Sequence, residues 1–82
     1  MPLRMDRLNA PDAQVQRETL AYLKGVGRSV PRTHVSQYLG FTQQQVDDAL
    51  KTLMAERLVD RSSSGWVQIT RHGIARVRAE AA

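Results

Sequence analysis

The stretch VSQYLGFTQQQVDDALKTL, residues 35–53, decides how this chain folds. Gly40 divides it. Before the glycine, Val35, Tyr38 and Leu39 give one apolar face over two helical turns, and Pro31 suits an N-terminal helix position. After it, Phe41 reads as the buried residue of a tight turn. Thr42-Gln43-Gln44-Gln45 then has the form of a capping box: the threonine oxygen accepts from the Gln45 amide and the Gln45 side chain returns the bond. Val46, Ala49, Leu50, Leu53 and Met54 follow at helical spacing, the stripe of an amphipathic helix.

Working outward, Asn9-Ala-Pro-Asp12 reads as a helix start, with Pro11 near the first turn and Asp12 at the positive end of the dipole. Val15, Thr19, Leu20, Tyr22, Leu23 and Val26 carry a helix from about Asp12 to Lys24. Gly25 and Gly27 stop it, Gly25 as a left-handed cap. Residues 1–11 form an N-terminal arm without sustained period, either loose or packed on a second subunit. Residues 12–82 form the domain. Downstream, Leu58-Val59-Asp60-Arg61 and Trp66-Val67-Gln68-Ile69-Thr70 flank Ser62-Ser63-Ser64-Gly65, which reads as a hairpin. Val67 and Ile69 alternate with Trp66, Gln68 and Thr70, so one face is buried and the other is not. Thr70 caps a last helix from Arg71 to about Glu80, with Ile74 and Val77 as its apolar pair.

With 82 residues, 41% of them hydrophobic, the chain has material for one small domain with a thin core. That length excludes α/β barrels and dinucleotide-binding folds. There is no cysteine, which excludes disulfides and the usual structural zinc sites. The longest aliphatic run, Leu53-Met54-Ala55, falls far short of a membrane span, and residues 1–10 contain no apolar signal region. A soluble cytoplasmic protein is expected. Lys and Arg total 12 against 8 acidic residues, for a net charge of +4. Ten of the basic residues are Arg, whose planar fork pairs two phosphate oxygens or the edge of a guanine. A balance of this kind suits nucleic acid, an anionic surface or an acidic partner.

The order is helix, helix, tight turn, helix, hairpin, helix: a mostly α fold with a small β-hairpin. Two helices around a glycine-containing turn make a helix-turn-helix, and the hairpin after them adds a wing. Leu20-Ala-Tyr-Leu-Lys24, Val35-Ser-Gln-Tyr-Leu-Gly-Phe-Thr42, Val46-Asp-Asp-Ala-Leu-Lys-Thr-Leu53 and Glu56-Arg-Leu-Val59 resemble the winged helix-turn-helix DNA-binding domains of bacterial transcription regulators. Ile69-Thr70-Arg-His-Gly73 resembles the strand-to-helix junction after the wing in MarR- and PadR-like members. The resemblance spans roughly Asp12 to Val77. It implies a sequence-specific binder of double-stranded DNA that regulates transcription, a small repressor rather than an enzyme, without cofactor or metal.

In such a domain the helix after the turn enters the major groove. Its exposed candidates are Gln43, Gln44, Gln45, Asp47, Asp48, Lys51 and Thr52, beside the cap Thr42. Glutamine makes a bidentate contact to adenine and Asp accepts from the cytosine amino group. Gln44 and Gln45 are the favoured readers, Gln45 with a competing capping role, and Lys51 points toward phosphate. Arg61, before the Ser62–Gly65 tip, is placed to reach the minor groove or its phosphates, with Ser63 adding a phosphate contact. Arg28, Arg32 and Thr33 open the helix that crosses the backbone, and Arg71 follows the second wing strand.

Trp66 reads as packing at the wing base, since a lone aromatic offers no stacking platform. His34 and His72 lack neighbours at ligand spacing. One such domain covers a short half-site, so a homodimer on a pseudo-palindrome is expected, joined through the arm, the first helix or the last. The rival reading is an interaction module that binds a protein partner, with Asp47 and Asp48 facing a basic surface. The two separate on whether the basic residues and the glutamines share one face.

Overall fold

The apolar stripe of residues 46–53 lies at the centre of the domain. In the computed structural model, which describes residues 5–62 and 64–81, Val46, Ala49, Leu50 and Leu53 are buried against Val15, Leu20 and Leu23 of the long preceding helix and Val35 of the short one. The elements run α1 (Met5–Leu8), α2 (Asp12–Val26), β1 (Val30–Pro31), α3 (Arg32–Leu39), α4 (Gln43–Ala55), β2 (Val59–Arg61), β3 (Trp66–Ile69) and α5 (Arg71–Ala81). This is the helix-turn-helix followed by a hairpin and a helix that the patterning predicts. Among the described residues no helix is long and apolar enough to cross a membrane.

α2 differs from its expected end. It continues past Lys24 to Val26, and the left-handed cap is Gly27 (φ 68°), whose N–H bonds the Leu23 carbonyl at 3.1 Å. Gly25 stays inside the helix. Val26 packs against the core, and that burial offsets the roughly 1 kcal/mol cost of an interior glycine. Gly40 (φ 77°) caps α3 as the pattern requires, its N–H bonding the Ser36 carbonyl at 2.9 Å. Phe41 is buried, as expected of the turn plug. Tyr38 is not part of the buried face: it is 74% exposed and stacks on Tyr22 at 4.7 Å between ring centroids. Val35 and the half-buried Leu39 carry the packing of α3 alone.

The hairpin belongs to a three-stranded antiparallel sheet of order β1-β3-β2. β1 has no counterpart in the sequence reading because it is two residues long and half of it is proline. Pro31 cannot donate to a ladder, which confines it to an edge. There it pairs with Trp66, while Val30 pairs with Val67, and Pro31 then serves as the N-cap of α3. On the other side of β3, Val59 faces Ile69 and Arg61 faces Val67. Val67 and Val59 are buried, Ile69 is half-buried, and Trp66 and Gln68 lie on the open side. The expected alternation therefore holds.

The N-terminal segment docks on its own chain. α1 is a single turn, and the Arg7 guanidinium reaches Glu18 Oε1 at 2.6 Å while lying 4.7 Å over the Phe41 ring. Arg7 and Leu8 thus lie against the turn of the helix-turn-helix, while residues 1–4 of the expected arm lie outside the described residues.

The last helix is fixed to the sheet by Thr70. Its hydroxyl accepts from the Gly73 N–H at 3.1 Å and donates to the Arg57 carbonyl at 2.7 Å. Gly73 is required here for space: a Cβ would overlap the Leu58 carbonyl oxygen and the Ile69 side chain.

Candidate nucleic-acid interface

The first turn of α4 is built as its capping box predicts. Thr42 Oγ1 accepts from the Gln45 N–H at 3.1 Å, and Gln45 Oε1 accepts from the Thr42 N–H at 2.9 Å. Gln45 Nε2 also donates to the carbonyls of Arg7 at 2.8 Å and Leu8 at 3.4 Å. Both Nε2 hydrogens go to backbone carbonyls and Oε1 is taken by the Thr42 N–H, so Gln45 has no donor left to offer and is a structural clasp and not a free reader. The Arg7 carbonyl that completes it belongs to a segment whose sequence carries no periodic signal. Gln44 stands exposed beside Gln45.

Gln43 faces α3. The buried Ser36 hydroxyl lies 2.8 Å from Gln43 Oε1 and 2.9 Å from the Thr33 carbonyl, one proton serving two acceptors. Gln43 Nε2 donates to Asp47 Oδ1 at 2.8 Å, and Asp47 Oδ2 takes the Arg32 guanidinium at 3.0 Å. The chain Ser36–Gln43–Asp47–Arg32 therefore ties the start of α3 to the first turns of α4. It also neutralises one of the two carboxylates that oppose phosphate on this helix.

Asp48 is exposed and lies on another side. It lines a small pocket with Asp12, Gln16, Gln45 and Thr52, between α4 and the start of α2. Lys51 and Thr52 are exposed on the following turn. Lys51 is four residues beyond Asp47 and seven beyond Gln44, so helical geometry places these three on adjoining ridges.

The second element is a groove of about 390 Å³ between the wing and the start of α3, lined by Pro31, Arg32, Thr33, Arg61, Ser64, Gly65 and Trp66. Two guanidiniums, two hydroxyls and an indole that is 46% exposed share it. Trp66 is thus at the surface and not packed into the wing base. The alternation along β3 already placed it opposite Val67 and Ile69, and the register against edge residue Pro31 explains why nothing covers it. Of the expected site residues, Arg32, Thr33 and Arg61 meet here. Ser63 lies outside the described residues.

Arg28 and Arg71 do not join them. Pro31 and Trp66 pair at the tip end of the sheet, whereas Ser29 bonds Gln68 at 3.0 Å further along β3. Arg28 precedes Ser29 and Arg71 follows Ile69, so both lie toward the far end. At about 3.3 Å per strand residue, Ile69 already lies roughly 10 Å along the strand from Trp66, and Arg71 lies beyond it. Arg32 and Arg61 lie at the wing groove, and Arg28 and Arg71 lie toward the other end of β3.

Among the described residues no cluster of three or more His, Asp or Glu could hold a metal ion.

No protein-family model and no curated protein matches the chain. Solved structures do. A variant of MepR from a multidrug-resistant S. aureus clinical isolate superposes with a TM-score of 0.74 at 22% identity, over 82% of this chain and 53% of that one. Two further S. aureus MepR variants superpose with TM-scores of 0.71 and 0.72, at 25% and 22% identity, over 80% and 82% of this chain and 52% and 54% of theirs. The chain spans about half the length of the structures it matches. With four helices beyond the single-turn α1, a three-stranded antiparallel sheet and this superposition, the chain is a winged helix-turn-helix domain that shares its fold with MepR.

Proposed function

We propose that this domain binds double-stranded DNA in a sequence-specific way and acts as a transcription regulator, a small repressor working as a homodimer on a pseudo-palindromic site. The start of α4 enters the major groove with Gln44 and Gln43 toward base edges, and Lys51 lies along the flanking phosphates. The wing groove takes the neighbouring backbone through Arg61, with the Trp66 indole against sugar. The observation that carries this reading is the convergence of Arg32, Thr33 and Arg61 from two separate elements on one groove beside α4. A surface with scattered solubility charge has no reason to bring them together.

The rival protein-binding reading rests on Asp47 and Asp48 dominating the exposed face of α4. Asp47 is paired with Arg32 and Asp48 lines the pocket against α2, which favours the DNA reading over an acidic docking face.

Fluorescence anisotropy with mixed-sequence duplex DNA, titrated across salt, tests the proposal. The expected log–log slope corresponds to about four or more neutralised phosphates, and Arg61→Ala lowers it by about one. Absence of binding at low salt sinks the proposal.

A further inference from the structure

Asp47 raises a question that DNA binding alone leaves open. A carboxylate on a helix that meets DNA repels phosphate, yet here it holds two of the groups best suited to the contact. Its Oδ2 takes Arg32 at 3.0 Å and its Oδ1 takes Gln43 Nε2 at 2.8 Å. Arg32 also lines the wing groove, so one guanidinium stands between a carboxylate on α4 and the place where a phosphate would lie.

The pair is open to solvent, with side-chain exposures of 51% for Arg32 and 37% for Asp47. Exposed pairs of this kind contribute at most about 1 kcal/mol to folding. That is too little to make the pair a structural clamp, but it is a competitor that DNA phosphate must displace. Gln43 is the second half of the device. One Nε2 hydrogen is committed to Asp47 and one Oε1 lone pair to Ser36. The amide orientation is thereby fixed, and by count one Nε2 hydrogen and one Oε1 lone pair are left over, the two kinds of group that a contact to adenine uses.

We infer that Asp47 is a positioning residue that sets sequence selectivity, by competing with DNA phosphate for Arg32 and by holding the Gln43 amide in one orientation. The inference rests on the DNA-binding reading above. Non-specific duplex must overcome the Asp47–Arg32 attraction with backbone contacts alone. A matching site adds base contacts from an already oriented Gln43, and the exchange of Arg32 from carboxylate to phosphate follows.

The test uses the full chain and a pool of duplexes with a randomised core. The duplex selected by the wild type and a scrambled version of it are then compared by anisotropy across salt. Asp47→Asn is expected to bind the scrambled duplex roughly two- to fivefold tighter, with a slope steeper by about one. It should gain less on the selected duplex, so the selectivity ratio falls. The base preference that Gln43→Ala erases should blur in Asp47→Asn.

Arg32→Ala should cost more affinity for the scrambled duplex in the Asp47→Asn background than in the wild type, cancelling most of the gain there. Asp47→Glu, which keeps the charge, should stay near wild type on scrambled duplex. Equal gains on both duplexes, or the same cost of Arg32→Ala in both backgrounds, overturns the inference and leaves DNA binding intact. A wild type that binds no duplex overturns both.

Discussion

The two ends of α4 are held in opposite ways. Its N-terminal end is a mesh of polar side chains: the Thr42–Gln45 box, the Gln45 clasp on the Arg7 carbonyl, and the chain from Ser36 through Gln43 and Asp47 to Arg32. Its C-terminal end is built from backbone and close packing. Arg57 sits in the left-handed region (φ 63°), the Leu58 N–H bonds the Leu53 carbonyl at 2.9 Å and the Arg57 N–H bonds Met54 at 3.0 Å, the pairing of a Schellman turn. Thr70 and Gly73 then close on the Arg57 and Leu58 carbonyls. Side-chain bonds near solvent exchange readily with a ligand, whereas a packed backbone turn does not. The N-terminal end, where we propose DNA contact, is adjustable and the end that carries the wing is fixed.

The largest test of that difference is Gly73→Ala. The new methyl meets a backbone oxygen with no room to yield, and a loss of about 3 kcal/mol in chemical denaturation is expected, the upper range for overpacking. A loss under about 1 kcal/mol would show that the junction can shift, against the rigid end described here. Thr42→Ala at the other end should cost only about 1 kcal/mol by the same measurement. A substantially larger loss would mean that the N-terminal mesh also anchors the fold.

Arg57→Gly should act in the opposite direction. The left-handed conformation costs an L-residue about 1–2 kcal/mol, and the extra freedom glycine gives the unfolded chain returns part of it. A net gain of roughly 0.5–1 kcal/mol is expected, and a loss would show that the Arg57 side chain contributes more than its backbone.

The smallest effect is acid sensitivity. The hydrogen bond from Arg7, against the opposing effect of burial and with help from Gln14, holds the Glu18 carboxyl below the usual carboxylate range. Its contribution to stability is therefore complete above the ordinary glutamate pKa and is lost as pH falls through the lower folded value. Acidification should release Arg7 and, with it, the Gln45 clasp, before the Arg57–Gly73 junction changes. Side-chain amide signals of Gln45 in NMR titrations should move first in the wild type. In Glu18→Gln they should be insensitive to pH in that window; a wild-type signal that does not move there contradicts the coupling.

The sequence makes the helix-turn-helix readable because its signals are local and redundant. Thr42-Gln-Gln-Gln45, the stripe from Val46 to Leu53, and Gly40 each specify the same helix boundaries through neighbours a few residues away. The features it hides are long-range. β1 exists only because Val30-Pro31 finds β3, and Gly25 stays helical only because Val26 finds the core. Tyr38 fits a helical apolar face on spacing, but its partner is the equally amphipathic Tyr22 at the surface. In the candidate site, Arg61, Arg32 and Thr33 were legible as basic or polar positions on the right elements, whereas their meeting around Trp66 depends on sheet register. The capture of Gln45 by Arg7 and of Asp47 by Arg32 needs pairs 38 and 15 residues apart to meet, which no local pattern encodes.

Trp66 gives the most direct measurement of the central claim, because it is the chain's only tryptophan and it lines the wing groove beside Arg32 and Arg61. Its emission, excited selectively at about 295 nm and followed while duplex DNA is added, reports changes at that groove. A saturable change in Trp66 emission that tracks binding and is reversed by added salt is expected. Duplex binding by anisotropy with Trp66 emission unchanged would contradict it, placing the DNA on a different face.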